Sequence, residues 1–168
     1  EAAAGIDHLR TPLRVDIPIA PEPAHYHASG NSSAYVGEEI FKTNADDWQA
    51  AGYTGAGVKV GIVDVFGGAL WDAAQAAGEL PQPAGSFCRD NGTPCDLWSF
   101  GQSHGEGVAE IIHELAPDAQ IYVASASTTS DLQAAVNYFG SQGVDIISRS
   151  LTSEYDGPGD GTGPIANV

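Results

Sequence analysis

The sequence predicts an α/β fold in which a partial, doubly wound parallel sheet carries helices on both faces. Three observations lead to this prediction. A nearly continuous apolar run at 58–65 has the composition of a strand buried on both sides, and the segments at 119–124 and 144–150 predict two further strands. Segments with helical periodicity separate these runs, and the joints between them are short. Strands and helices that alternate in this way form parallel sheets through right-handed crossovers.

The beginning of the chain predicts an irregular N-terminal arm. Four prolines interrupt any helix before residue 24, and the segment Gly-Asn-Ser-Ser at 30–33 is a flexible tract. A short helix is expected at 46–51, with Trp48 facing inward. We therefore divide the chain into an arm at 1–37 and a domain at 38–168.

The sequence of the domain predicts alternating helices and strands after the first strand. An alanine-rich segment at 69–77 predicts a helix, and a loop up to Gln102 follows it. The next helix is expected to begin near His104, because an apolar stripe starts there, and Pro117 follows its end. The remaining predicted elements are a strand at 119–124, a helix at 131–141 capped by Ser130 and closed by Gly143, and a strand at 144–150.

Glycines around the first strand permit two interpretations. Gly55, Gly57 and Gly61 could cradle a phosphate group, or they could form the turn that leads into the sheet. A dinucleotide-binding loop needs its glycines after a strand and before a helix, so that the helix N-terminus receives the phosphate. Gly55 and Gly57 precede the strand, and their spacing is not that of the nucleotide motif. The turn is the favoured interpretation.

The charge of the chain limits its partners. Six Lys and Arg stand against 22 Asp and Glu, for a net charge of −16. A chain this acidic is a poor ligand for nucleic acid or for an anionic membrane surface. No run reaches the roughly 18 to 20 apolar residues that a membrane helix needs. The acidic surface is typical of a soluble secreted protein, and adaptation to salt or to low pH gives the same pattern.

Two cysteines, Cys88 and Cys95, predict a small disulfide loop. The hexapeptide RDNGTP lies between them and contains Asn-Gly and Thr-Pro, which form turns that can bring two sulfur atoms together. Such a pair is typical of an oxidising compartment and indicates a secreted protein. Two free thiols are the alternative. A metal site is not expected at these cysteines, because two further ligands at suitable spacing are not apparent.

Asp64 and His104 are the candidate chemical groups. Asp64 ends the first apolar run, at the carboxyl edge where open parallel sheets have their active sites. His104 begins the strongly periodic helix, whose N-terminus belongs to the same edge. An Asp that accepts from one imidazole nitrogen fixes the tautomer and leaves the other nitrogen as a base. We therefore expect these two side chains to meet.

Three segments of the chain resemble subtilisin-like serine peptidases. They are GVKVGIVD, SHGEGVAEIIHELAPDAQIYVAS and VDIISRSL, which occur in the order of that family and extend over 52–152. The resemblance implies a subtilisin-like fold, with Asp64 as the Asp of the catalytic triad and His104 as the general base. It also implies that Ser150, Leu151 and Thr152 lie in the strand against which a peptide substrate pairs.

The chain departs from the family pattern at Glu106, where a small Thr is usual, and at Thr152, where Gly is frequent. A larger departure concerns the nucleophile. The family carries its Ser and its oxyanion Asn in downstream segments that these 168 residues do not contain. The resemblance thus implies a secreted endopeptidase whose Asp and His lie here, and the isolated chain is expected to be inactive. The domain at 38–168 is then the N-terminal part of a peptidase domain that is incomplete at its C-terminus.

Partners and cofactors follow from this interpretation. The expected partners are a peptide or protein substrate and the C-terminal portion of the same peptidase domain. No cofactor is required, although Asp156 and Asp160 could hold calcium as a structural ion. Arg149 either reaches the rim of the cleft or pairs with a nearby carboxylate. The alternative function is a non-catalytic module of the same fold that binds a peptide or protein partner.

Overall fold

The computed structural model describes residues 15–16, 37–153, 158, 160–163 and 165–168. Within this part of the chain, strands and helices alternate as the sequence predicts. In chain order the elements are β1 (Val15–Asp16), α1 (Glu38–Lys42), α2 (Ala45–Ala50), β2 (Lys59–Val63), α3 (Gly68–Ala77), β3 (Gly85–Asp90), β4 (Thr93–Pro94), α4 (His104–Leu115), β5 (Gln120–Ala126), α5 (Thr129–Gln142), β6 (Ile146–Arg149) and β7 (Thr152–Ser153).

Five strands form the main sheet in the order β4-β3-β5-β2-β6. β2 lies parallel to both β5 and β6, and β3 lies parallel to β5. β4 runs antiparallel to β3, because the chain turns back at Asn91 and Gly92, which both have positive φ angles. The predicted α/β class is therefore confirmed, with a mixed sheet in place of a wholly parallel one.

The pleat of the central strands divides the core between two faces. Ile62 points to the face that Trp71 of α3 and Ala109 of α4 cover, while its neighbour Val63 points to the other. Phe139 of α5 packs on that second face. Because side chains of successive residues alternate, the apolar run of β2 supplies both layers of the core.

The main sheet contains two strands that the sequence did not predict. The predicted strands at 58–65, 119–124 and 144–150 correspond to β2, β5 and β6. The segment up to Gln102, predicted to be a loop, also contains β3 and β4. Polar residues in Gly85–Asp90 and its incomplete burial hide the apolar signal of this strand.

Two predictions about helices are wrong in detail. The N-cap of α5 is Thr128, whose side chain accepts a hydrogen bond from the Asp131 N–H, and not Ser130. Trp48, predicted to face inward, is 60% exposed and packs edge-to-face against Tyr53. Its helix, α2, buries Ala45 instead. Gly143 closes α5 as predicted, with a left-handed backbone.

The segment before β2 is tied to the end of α4. The backbone N–H of Gly37 donates to Glu114 Oε2 at 2.9 Å, and Gln49 Nε2 donates to the Glu114 carbonyl oxygen at 2.6 Å. Of the predicted arm at 1–37, Val15–Asp16 and Gly37 are described, and its remaining residues lie outside the described part of the chain. Val15–Asp16 pairs antiparallel with β7.

A disulfide bond closes the hairpin of β3 and β4. Cys88 and Cys95 are bonded, with their Cα atoms 5.1 Å apart. This confirms the predicted bridge. The hairpin is also tied to α5, because the Gly92 N–H donates to Asp131 Oδ1 at 2.9 Å. Asp131 is buried, and its second oxygen accepts from the Thr128 hydroxyl at 2.7 Å.

Candidate active site

Asp64 and His104 meet at the carboxyl edge of the sheet. Asp64 directly follows β2, and its N–H donates to the Ala124 carbonyl of β5 at 2.9 Å. The side chain is fully buried. Its Oδ1 accepts from the Val65 N–H and from His104 Nδ1, each at 2.8 Å. The backbone N–H of Val65 therefore holds the carboxylate in the orientation in which it accepts from the imidazole.

The first turn of α4 brings His104 to this position. The Gly105 N–H donates to the Val65 carbonyl oxygen at 3.0 Å, so the helix begins directly against the loop that follows Asp64. A Cβ atom at Gly105 would lie 2.6 Å from the same oxygen and 2.6 Å from the Phe66 ring. The helix can approach this closely because residue 105 has no side chain.

The surroundings of Asp64 and His104 determine the charge of the carboxyl group and the tautomer of the imidazole. Burial raises the pKa of Asp64, and the hydrogen bonds from His104 and the Val65 N–H oppose the rise, as does the charge of Arg149. Because a carboxylate only accepts hydrogen bonds, Nδ1 carries the proton in this contact, and Nε2 retains its lone pair. The His104 side chain is 23% exposed, so solvent or a ligand can reach the ring.

Glu106 is a site residue that sequence reasoning treated only as a departure from a family pattern. It is 4% exposed, and its Oε1 accepts from the Gly67 N–H at 2.6 Å. Burial raises its pKa to about 7; the N–H groups of Gly67 and of Glu106 itself oppose the rise, and the charges of Asp64 and Glu110 add to it. The signal in the sequence is an acidic residue two positions after the candidate base, within the first turn of the same helix.

The predicted substrate residues emerge at the same edge. Arg149 pairs with Val63 in the sheet register, so Ser150 follows β6 where Asp64 follows β2. Ser150 and Thr152 are exposed, whereas Leu151 is buried. Thr152 already has a strand partner, since β7 pairs with Val15–Asp16.

Two nearby serine hydroxyls, of Ser125 and Ser127, bond to groups other than His104. Ser125 Oγ donates to the main-chain carbonyl oxygen of Asp64, and Ser127 Oγ donates to Asp131 Oδ2 at 3.2 Å. Ser103 is the N-cap residue of α4 and directly precedes His104. These contacts hold β5 and α5 in place beside the pair.

In the described part of the chain, no group of three or more His, Cys, Asp or Glu side chains is arranged to hold a metal ion. Asp156, named with Asp160 as a candidate calcium ligand, lies outside the described residues. The Asp160 carboxylate accepts from the N–H and the hydroxyl of Thr162 at 2.9 and 2.5 Å, which lower its pKa. None of the described helices is both long and apolar enough to cross a membrane.

A scan of the chain against models of protein families finds no match, and a search of curated proteins finds none either.

Proposed function

We propose that this chain carries the Asp and His part of a secreted, subtilisin-like serine endopeptidase domain. Asp64 and His104 act on the hydroxyl of a serine that a further portion of the domain supplies. The hydrogen bond of 2.8 Å between Asp64 Oδ1 and His104 Nδ1 is the observation that carries this proposal.

The chemistry assigned to the pair is proton transfer. His104 Nε2 accepts the proton of the serine hydroxyl as its oxygen attacks the carbonyl carbon of the peptide bond. Asp64 stabilises the imidazolium that forms, because its buried carboxylate already accepts from Nδ1. The imidazolium then gives its proton to the leaving amine, and water repeats the sequence on the acyl-enzyme.

Substrate recognition is assigned to the segment after β6. Ser150 and Thr152 are exposed beside the pair, and an extended peptide can pair with their backbone while Leu151 anchors the segment in the core. A peptide that pairs at Thr152–Ser153 competes with Val15–Asp16, which occupies that edge.

The nucleophile and the oxyanion donor are assigned to a portion outside these 168 residues. The contacts of Ser125 and Ser127 leave their hydroxyls bonded to Asp64 and Asp131 rather than to His104. Because these two hydroxyls of the described residues are bonded elsewhere, we expect no turnover from the isolated chain.

The second candidate is a non-catalytic module that binds a peptide or protein through a strand edge. One observation favours it: Ile146 and Ile147 of β6, at the end of the main sheet, are 56% and 42% exposed. Apolar side chains on an edge strand are typical of a surface that another strand or helix covers.

Activity of a reassembled domain tests the first proposal against the second. The chain is mixed with, or fused to, the downstream portion of its gene, and peptide hydrolysis and labelling by a fluorophosphonate are measured. We expect both to be absent from the isolated chain and present after reassembly. His104→Ala is expected to lower kcat by about 10⁶-fold, and Asp64→Asn by about 10⁴-fold.

The matched control is His113→Ala, since His113 lies on the same helix away from the pair. It is expected to retain the turnover of the reassembled protein. Labelling of a serine in the isolated chain would contradict the proposal. Full turnover by the His104→Ala protein would also contradict it.

A further inference from the structure

Glu106 joins the two elements that hold the candidate pair. Its side chain reaches from the first turn of α4 to the Gly67 N–H, and Gly67 is the N-cap residue of α3. The loop from Asp64 to Gly67 is therefore bonded to α4 twice, once through Glu106 and once through the Gly105 N–H on Val65. His104 directly precedes the two residues of α4 that make these bonds.

The same carboxyl group also adds charge to a buried site. Asp64 Oδ2 and Glu106 Oε2 are buried, and neither has a hydrogen-bond partner within the described residues. A buried charge without a partner is costly, so two neighbouring carboxyl groups of this kind do not both ionise readily. One of the two groups is then expected to keep its proton.

We propose that Glu106 is a positioning residue for His104. As a neutral acid, Glu106 holds the loop after Asp64 against α4; when it ionises, it adds a second negative charge beside the Asp64–His104 pair. This inference deepens the proposed function, on which it rests, by naming a residue that couples the Asp64–His104 pair to pH.

The surroundings decide which carboxyl group keeps its proton. Asp64 has the stronger support for its charge, because His104 and the Val65 N–H donate to it and Arg149 contributes positive charge. Glu106 has only the N–H groups of Gly67 and of its own backbone and no positively charged neighbour among the causes of its shift, and burial with contributions from Asp64 and from Glu110, one turn further along α4, raises its pKa to about 7. Glu106 is the neutral member.

Coupling between two charges is reciprocal. If the charge of Asp64 favours the protonated form of Glu106, ionisation of Glu106 disfavours the charge of Asp64 by the same free energy. The pair therefore works beside a neutral carboxyl group below about pH 7 and beside an anion above it.

Carbon NMR tests the charge coupling on the intact chain without any turnover. The carboxyl carbon of Glu106 is assigned by comparison with Glu106→Gln and titrated in the wild type and in Asp64→Asn. We expect a midpoint near 7 in the wild type and a fall of about one pH unit in Asp64→Asn, because a neighbouring negative charge is removed. A midpoint that Asp64→Asn leaves unchanged would overturn the proposal.

Proton NMR of the His104 Nδ1 proton tests the clamp. Glu106→Gln keeps an oxygen that accepts from the Gly67 N–H, so the low-field resonance of this proton is expected to persist. Glu106→Ala removes the acceptor, and the resonance is expected to broaden or disappear while circular dichroism shows a folded chain. Persistence in a folded Glu106→Ala protein would overturn the clamp.

The outcomes separate this inference from the proposed function. If Glu106→Ala fails to fold, the titration in Asp64→Asn still decides the charge coupling, and Glu106→Gln still decides whether charge is needed for the fold. If the coupling is observed but the reassembled protein does not hydrolyse peptides, the inference about Glu106 is supported and the proposed peptidase function is wrong. If the reassembled protein hydrolyses peptides but the coupling is absent, the peptidase function is supported and Glu106 has no part in it.

Discussion

The N–H of Gly105 donates to the carbonyl oxygen of Val65 at 3.0 Å, and a side chain at Gly105 would collide with that same oxygen. The contact joins the helix of His104 to the loop of Asp64 through main-chain atoms alone. The distance between the two candidate catalytic side chains thus depends on a residue that carries no chemistry itself.

Gly105→Ala is the first prediction. Its Cβ has to push α4 away from Val65 and Phe66, which we expect to lower the free energy of unfolding by about 1 to 3 kcal/mol. Urea denaturation measures this loss, and the low-field His104 proton should weaken at the same time. The matched control is Gly140→Ala in α5, where a Cβ has open space; it should raise stability by about 0.5 to 1 kcal/mol. Equal effects of the two substitutions would contradict the close approach.

Gly61→Ala is the second prediction, on the opposite face of the sheet. A Cβ at Gly61 would lie 2.9 Å from the nearest atoms of the buried Phe139 ring, so β2 and α5 would have to separate. We expect a loss of about 1 to 3 kcal/mol in the free energy of unfolding. The double variant Gly61→Ala, Phe139→Leu should be more stable than the sum of the single losses predicts, because the smaller side chain makes room. Simple additivity in this cycle would argue against the contact.

The strands and helices with strong local signals could be predicted from the sequence. The nearly continuous apolar run before Asp64 identified β2, since a strand covered on both faces needs apolar side chains in both directions. The meeting of Asp64 and His104 followed from topology, because the carboxyl end of a parallel strand and the start of a following helix share one edge. Neither required knowledge of side-chain packing.

The features that sequence could not give depend on neighbours. β3 is partly exposed and polar, so pairing with β5 rather than its own composition makes it a strand. Trp48 has the hydrophobicity of a core residue, yet it lies on the surface because α2 buries Ala45. The contact of Glu106 with the Gly67 N–H joins positions 39 residues apart, and no local pattern encodes such a bond.

Removal of the disulfide is the third prediction. Cys88 and Cys95 are separated by 7 positions, so their bond closes a short loop in the unfolded chain. The loop-entropy relation gives about 2.5 kcal/mol for a loop of this length. Cys88→Ser with Cys95→Ser should lower the denaturation midpoint accordingly, and a reducing agent should destabilise the wild type but leave the double variant unchanged. Sensitivity of the double variant to the reducing agent would point to another cause.

The last prediction concerns the pH dependence of stability through Glu114. Burial and a hydrogen bond with Glu39 raise the pKa of Glu114 to about 7, while the Gly37 N–H opposes the rise; the same bond lowers the pKa of Glu39. The protonated form of Glu114 is therefore favoured in the folded chain, beside the more readily ionised Glu39 of α1. In the unfolded chain both groups ionise near 4.5, the ordinary value for Glu.

Between about pH 4.5 and 7 the folded chain consequently binds a proton at Glu114 that the unfolded chain has lost, so stability should fall as pH rises through this window and level off above it. Glu114→Gln should reduce the number of protons released on unfolding by about one, as obtained from the slope of unfolding free energy against pH. Glu106 acts in the same direction, so Glu106→Gln should remove a second proton and the double variant should remove both.

Burial lowers the pKa of His113, which contributes a slope of opposite sign, but His113 is unchanged in these variants and cancels from the differences. If the slope of Glu114→Gln equals that of the wild type, Glu114 is ionised in the folded protein across this window and the prediction is wrong.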